Sequence, residues 1–284
     1  MDQELLSQLR IQFKRLRLLD LLCLSLAVLA LSAYFIHRHA TLAILGLNAL
    51  LYLLAVRPRA RGYQRDCIRA SIRLSLGRYL AEAAYASPAL DQAEVRDPRL
   101  VAVGEDPGAV TQKEGGRGLW RGREVQVGEV VLGNFFHSDA QHQRAEYLTG
   151  TWVRVELAQD TGLDCRLIRQ DLMDPRSRAA YFGRHDGLCP TAQELPRWLR
   201  EDWVVITGRE DALPAQPVLS GLKELAGYTP TPMAMAVTGG VLSVYLHQRL
   251  LWRRVSLRQP PGEAWLNFDL LPELGRILEI ARQL

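Results

Sequence analysis

The sequence predicts an α+β protein, in which an N-terminal two-helix transmembrane hairpin leads through a helical stalk into a cytoplasmic domain with a mainly antiparallel sheet. Three observations predict it. Two uncharged apolar runs lie close together near the start of the chain. The positive charge is gathered around them. The strand-like and helix-like segments that follow do not alternate strictly, which argues against a doubly wound parallel sheet.

The 284 residues are 48% hydrophobic and 23% charged. That composition excludes a wholly disordered or collagen-like chain. The formal charge of +4 is uneven: residues 1–70 carry ten basic and four acidic residues, a net of +6, and the remainder carries −2. The positive excess therefore reports membrane orientation and does not point to nucleic acid.

Residues 2–17 place Leu5, Leu6, Leu9, Phe13 and Leu16 at helical spacing beside a basic face. Domain 1–17 is expected to be an amphipathic helix on the membrane surface, the alternative being a helix packed on the folded domain. Domain 18–56 is the hairpin. Leu21–Ile36 and Ala40–Val56 are sixteen and seventeen residues without a charge. At 1.5 Å per residue each reaches about 25 Å, close to the ~30 Å hydrocarbon core. Only His37, Arg38 and His39 separate them, so the helices must run antiparallel. A cleaved signal peptide would not be followed at once by a second apolar run. The flanking bases Arg10, Lys14, Arg15 and Arg17, with Arg57, Arg59, Arg61 and Arg65, outnumber Arg38 in the connection. The positive-inside rule then places both termini in the cytoplasm of a multi-pass protein of the bacterial inner membrane. Asn48, inside the second run, could bond across the hairpin or to a second copy.

Domain 57–87 is expected to be a stalk, with a helix over roughly Tyr63–Ala86 that continues the second span and ends at Ser87-Pro88. Domain 88–284 is the α+β body. Leu100–Gly104 is a short strand candidate and Asp106–Gly118 a Gly- and charge-rich loop. Strand-like runs start at Glu124, Glu129, Gly150, Asp164 and Asp202. Thr191 to Glu194 reads as a capping box opening a short helix that ends near Leu199, with Pro196 awkward inside it. Pro217–Leu225 is a helix. Met233–Val237 and Val241–Leu246 form a hairpin around Gly239-Gly240. Arg253–Leu257 could extend a further strand, and Phe268–Leu284 is a closing amphipathic helix.

Chemistry-bearing motifs are sparse. Gly115-Gly116-Arg117-Gly118 lacks the Lys-Ser/Thr of a P-loop and reads as a loop. His137, Asp139 and His142 are candidate metal ligands on one turn, with a fourth ligand needed from elsewhere. His185-Asp186 could be an orienting pair for a general base, though its Gly flanks favour an exposed turn. Arg197 beside Trp198, and Arg253-Arg254 beside Trp252, could stack on bases, but the net-acidic body favours core Trp with exposed Arg. Cys23, Cys67, Cys165 and Cys189 form no CxxC and suit a reducing compartment. No cofactor motif is found.

Several stretches resemble the bacterial membrane-protein family catalogued as domain of unknown function 3137. They are Arg65–Tyr85, Gln126–Gly133, Tyr147–Val153, Glu201–Ile206 with Val218–Leu222, Met233–Leu246 and the final helix. The chain departs from the family pattern at Leu148 and Thr149, where a basic residue is expected. The resemblance implies a two-span hairpin, a stalk and a cytoplasmic α+β domain, and brings no reaction or catalytic residues. The expected function is a non-enzymatic partner-binding or scaffold role, with the lipid bilayer and a protein partner or second copy as partners. The alternative is a membrane-anchored enzyme with a His/Asp or metal site.

Overall fold

The computed structural model describes residues 2–35, 38–101, 103, 107–134, 146–173, 187–208, 211–251, 255–257, 259–266 and 268–284. The chain divides into two compact units. The first is Met1–Leu74 with Arg253–Phe268, and the second is Ser75–Trp252 with Asp269–Leu284.

In the first unit, helix α1 runs without a break from Asp2 to Tyr34. There is no interruption at the expected 17/18 boundary. A second helix of 39 residues, Arg38–Leu76, packs along it. It is built from α2 (Arg38–Leu51), a π-helical turn at Tyr52–Val56, and α3 (Arg57–Leu76). The expected continuity of span and stalk is therefore observed as far as Leu76.

Among the shielded positions of α1, Leu9, Phe13, Leu16, Asp20, Cys23, Ala27 and Ala30 follow one another at alternating steps of four and three, with Leu5, Leu6, Arg17, Leu19, Leu26 and Ala33 shielded beside them. That is the seam of a 3.5-residue repeat. On the second helix Thr41, Ile44, Asn48, Leu51 and Ala55 keep the same rhythm. Val56, Ala60, Tyr63, Cys67 and Ala70 then run on in steps of four and three, but Val56 lies five residues beyond Leu51, where a step of four is due. A π turn contains one extra residue, so Tyr52–Val56 absorbs the slip. The Arg57 N–H donates to the Tyr52 carbonyl, five residues back. Pro58 follows immediately; its ring cannot donate to Leu54 and would clash with that carbonyl in a regular helix.

Residues 2–17, expected as an amphipathic helix, are the first half of α1, and part of their apolar face packs on protein. Leu9, Phe13 and Leu16 are buried in one cluster with Val56, Tyr63, Cys67 and Ala70, and Val255, Leu257 and Trp265 pack against it. That part of the face is spent on the neighbouring helix. The Phe13 and Tyr63 rings lie 5.9 Å apart. Each large side chain in such a seam contributes about 1.5–3 kcal/mol by burial.

The second unit begins where the stalk was expected to continue. α3 stops at Leu76, just before Gly77, and the turn closes with Tyr79 and Leu80 N–H groups donating to the Leu76 carbonyl. Ala81–Ala86, read as helix from its composition, is strand β1. Pairing with a neighbouring strand overrides the helical propensity of its alanines, strong as it is.

The remaining strands are β2 (Val110–Trp120), β3 (Arg123–Asn134), β4 (Glu146–Glu156), β5 (Asp164–Arg169), β6 (Cys189–Pro190), β7 (Trp203–Thr207), β8 (Met233–Thr238) and β9 (Val241–Leu246). Among the described residues they form one nine-stranded sheet in the order β1-β2-β3-β4-β9-β8-β5-β7-β6. Every pairing is antiparallel. The α+β class with a large antiparallel sheet is as expected.

The Gly-rich segment at 115–118 is not a loop but the middle of β2. A Cβ on Gly115 would stand 2.6 Å from the Val127 carbonyl oxygen, and one on Gly118 would stand 2.9 Å from that of Ala81. Glycine here marks close approach of neighbouring backbones. Leu100, Val101 and Val103 lie outside any strand, as do Val255–Leu257.

Register sorts the side chains. Val127, Val153, Val244, Met235, Leu167 and Val205 form one row across six strands, and all are buried. On this side two helices pack together: α6 (Gln216–Tyr228) and α8 (Glu273–Gln283), the latter also touching β4. A Cβ on Gly221 would stand 2.8 Å from Ile280 Cγ1, so the two helices are close there.

The opposite face carries a second core with Trp152, Tyr245, Leu132, Ile168, Ala234 and Ile206. Leu90, Val95, Leu100 and Val101 cap it, from the segment that includes α4 (Gln92–Arg96). The short helix α5 is Arg197–Asp202, starting after Pro196. The expected capping box at Thr191 does not form. Asp211 takes that loop instead, accepting from the Ala192 N–H at 3.0 Å and the Thr207 hydroxyl at 2.6 Å. α7 (Glu263–Leu266) belongs to the first unit.

Candidate functional site

The strongest functional feature of the first unit is its outer surface. In the most apolar 18-residue window of each long helix only 11% of the residues are buried. Leu18 is 67% exposed, Phe35 81% and Leu54 71%. A core helix of a soluble protein would hide such residues. The run of exposed large apolar side chains reaches Leu18 on one helix, with Ile11 alone exposed beyond it, and ends at Leu54 on the other. Lys14 and Arg15, and Arg57, Arg59, Arg61 and Arg65, are exposed just beyond those limits. Arg17 is partly shielded, its guanidinium 5.5 Å above the Phe13 ring. Arg10 donates to the Pro261 carbonyl at 3.3 Å. Asn48 lies in the seam, and its Oδ1 is shielded without a hydrogen-bond partner.

In the second unit a polar row crosses the sheet face opposite α6 and α8. Gln126, Arg154, Ser243, Ala236 and Arg166 are consecutive partners on β3, β4, β9, β8 and β5. The row holds the capping segment. Arg154 reaches Glu94 of α4 at 3.5 Å and Glu156 at 3.3 Å. Arg166, almost wholly buried, donates through Nε to the Pro98 carbonyl at 2.9 Å and through Nη1 to Asp164 at 2.5 Å. Ser243 Oγ is fully buried between the two arginines' strands and has no partner. Three carboxylates already face the two guanidinium groups, so the row is neutralised from within and fastens structure.

One row further along, the stretch Tyr147–Val153 acquires a reason. Trp152 lies opposite Tyr245, with ring centroids 6.1 Å apart. Gly150 leaves the space that the Tyr245 ring fills. The Tyr245 hydroxyl is 3.0 Å from His247 Nδ1, and burial pushes its pKa up. On the other face Glu129 is fully buried and receives Arg249 through Nε at 3.2 Å and Nη2 at 3.1 Å. Leu148 packs on the capped core and Thr149 pairs with Val131; neither position supplies the basic residue of the family pattern.

A third group gathers beside the N-terminal end of α8. Tyr79 donates to Asp269 at 2.5 Å, and the Leu270 N–H donates to Ser75 Oγ at 3.0 Å. These bonds tie together the two points, Ser75 and Asp269, at which the chain enters this unit. Glu273 is buried beside them, with Thr229 donating to its Oε1 at 3.4 Å and its Oε2 unpartnered. Burial, chiefly, raises its pKa, and the nearby Asp269 charge adds to the rise.

His137, Asp139, His142, His185 and Asp186 lie outside the described residues. Among the described residues no three His, Cys, Asp or Glu side chains are placed to hold a metal ion. The four cysteines are free. Burial pushes the Cys67 thiol up to about 11 and the Cys165 thiol up to about 12, so neither is primed as a nucleophile. Arg197 pairs with Glu201 at 2.6 Å, and the Trp198 ring receives Lys223 at 5.9 Å instead of stacking on its neighbour. Sequence reading missed the polar row. Arg154 and Arg166 each break an apolar strand, but only strand order shows that they share a line.

No protein-family model and no curated protein matches the chain. Among solved structures it is similar to the crystal structure of the mycobacterial trehalose monomycolate transport factor A, TtfA, at 14% identity and a TM-score of 0.38, over 77% of this chain and 92% of that one. At that score neither fold nor role passes from one protein to the other.

Proposed function

We propose that the chain is an integral protein of the bacterial inner membrane and a member of the family it resembles, domain of unknown function 3137. The helices α1 and α2 cross the bilayer as a hairpin with both termini cytoplasmic. The α+β body then serves a protein partner or a second copy at the membrane, without catalysis of its own.

One observation carries the reading: two neighbouring helices expose their apolar windows almost completely, and basic side chains are exposed where that surface ends. Bilayer is the solvent that such a surface needs. The basic excess on the flanks of the hairpin supports the cytoplasmic orientation. The partner-binding role is supported by the polar row of the body, whose Arg154 and Arg166 are met by Glu94, Glu156 and Asp164 and fasten the capping segment.

Alkaline carbonate extraction of membranes carrying the full chain tests the anchor. The chain is expected to stay with the membrane, and the double variant Leu26→Arg, Ile44→Arg to be released. Release of the unaltered chain would overturn the reading.

A further inference from the structure

The bases at the foot of the hairpin are not equivalent. Arg17 lies over Phe13, Arg10 donates to Pro261, and Arg69 faces Asp66 at 4.0 Å. The side chains of Lys14, Arg15, Arg57, Arg59, Arg61 and Arg65 have no hydrogen bond, ion pair or ring contact among the described residues. Three of them, Arg57, Arg61 and Arg65, are spaced i, i+4, i+8 on α3 and all are exposed. Like charges at that spacing destabilise a helix. Among the described residues no carboxylate is paired with them, which leaves the stripe open to an external anion.

The level of the bases identifies that anion. Arg57 follows Leu54 by three residues, where exposed apolar side chains end. Successive stripe positions rise about 6 Å. The headgroup layer is about 5–8 Å deep on each side of the hydrocarbon core. Arg57, about 4.5 Å beyond Leu54, therefore stands at the level of the lipid phosphates, Arg61, about 10 Å beyond it, is within side-chain reach of them, and Arg65, about 16 Å beyond it, lies about one Debye length from the surface. Lys14 and Arg15 bring the same charge on α1, which packs alongside. Guanidinium groups fit phosphate oxygens in a bidentate fork.

We propose that Lys14, Arg15, Arg57, Arg59, Arg61 and Arg65 form a headgroup site that selects anionic phospholipid at this end of the hairpin. The proposal rests on the membrane reading above and adds lipid selectivity to it.

The test uses the full chain, purified in mild detergent and equilibrated with equimolar phosphatidylglycerol and phosphatidylcholine. Bound lipid is then counted by mass spectrometry. The unaltered chain is expected to hold the anionic lipid at least threefold over the zwitterionic one. Arg57→Gln, Arg61→Gln, Arg65→Gln together should bring the ratio near one while the variant still resists carbonate extraction. The corresponding Lys variants should keep most of the enrichment. No enrichment on the unaltered chain, or equal enrichment on the Gln variant, overturns the proposal and leaves the anchor standing. Carbonate release of the unaltered chain overturns both.

Discussion

Gly150 and Tyr245 share one space: a Cβ on Gly150 would stand 2.5 Å from Cε2 of the Tyr245 ring, and closer still to the Leu246 carbonyl oxygen. The ring is fully buried and packs on Trp152, so it has nowhere to go. Gly150→Ala should destabilise the body by about 3 kcal/mol, the upper range for overpacking. Combined with Tyr245→Ala the two costs should be less than additive by the ring's share of the obstruction, the Leu246 carbonyl remaining in place. Denaturant unfolding followed by tryptophan fluorescence measures both; full additivity would show that the ring is not the obstacle.

The buried carboxyl of Glu273 makes a pH-dependent prediction. Its folded pKa is raised by burial, so folding favours its protonated form. The stability it contributes is present below the unfolded carboxyl value, about 4.3, and is lost as pH rises through the folded value. Glu273→Gln should therefore match the parent near pH 4 and melt higher than it at pH 7. Melting curves from pH 4 to 8 give the answer. A variant that melts lower at pH 7 would mean that the charged form is the stabilised one.

Slippage of the seam predicts an unusual tolerance. Removing Leu53 from the π turn would bring Val56 to four residues beyond Leu51 and leave only steps of three and four from Thr41 to Ala70, as an unbroken α-helix can carry. That deletion should leave the melting temperature within a few degrees. Removing Gln64, from regular helix, should turn Cys67 and Ala70 away from Leu9 and Phe13 and lower it markedly. Equal losses from the two deletions would contradict the one-residue account.

Arg166 should hold down the capping segment. Arg166→Met keeps the buried volume, removes the donor to the Pro98 carbonyl, and leaves Asp164 half exposed to water. The expected cost is about 1–3 kcal/mol, that of an unsatisfied buried acceptor. Hydrogen exchange should quicken first between residues 91 and 99. Uniform quickening across the body would assign Arg166 a general packing role instead.

Much of the fold was legible. The apolar runs, the closing hairpin at Gly239-Gly240, α6 and α8 all follow from local pattern, where periodicity and turn chemistry agree. Three features were not. Ala81–Ala86 is a strand because β2 lies beside it, and no local property of those alanines says so. Gly115–Gly118 looks like a loop because Gly and charge usually mark one, whereas here glycine admits a neighbouring backbone. The surface helix expected at residues 1–17 has a correct apolar face, but a face cannot name its partner, and Tyr63 and Cys67 claim part of it. The basic collar was legible as a cluster of charge; which of its side chains lack partners among the described residues needed coordinates. The polar row of Gln126, Arg154, Ser243 and Arg166 depends on strand order, which one sequence does not contain.

The central claim is a hairpin that crosses the membrane with Phe35 at its far end and Arg59 on the cytoplasmic side. A membrane-impermeant maleimide applied to intact bacterial spheroplasts tests it directly. The unaltered chain, with Cys23 within the span and Cys67, Cys165 and Cys189 inside the cell, should remain unlabelled. Phe35→Cys should label at once, and Arg59→Cys only after permeabilisation. A Phe35→Cys chain that stays unlabelled until lysis, or an Arg59→Cys chain that labels in intact spheroplasts, would contradict the account.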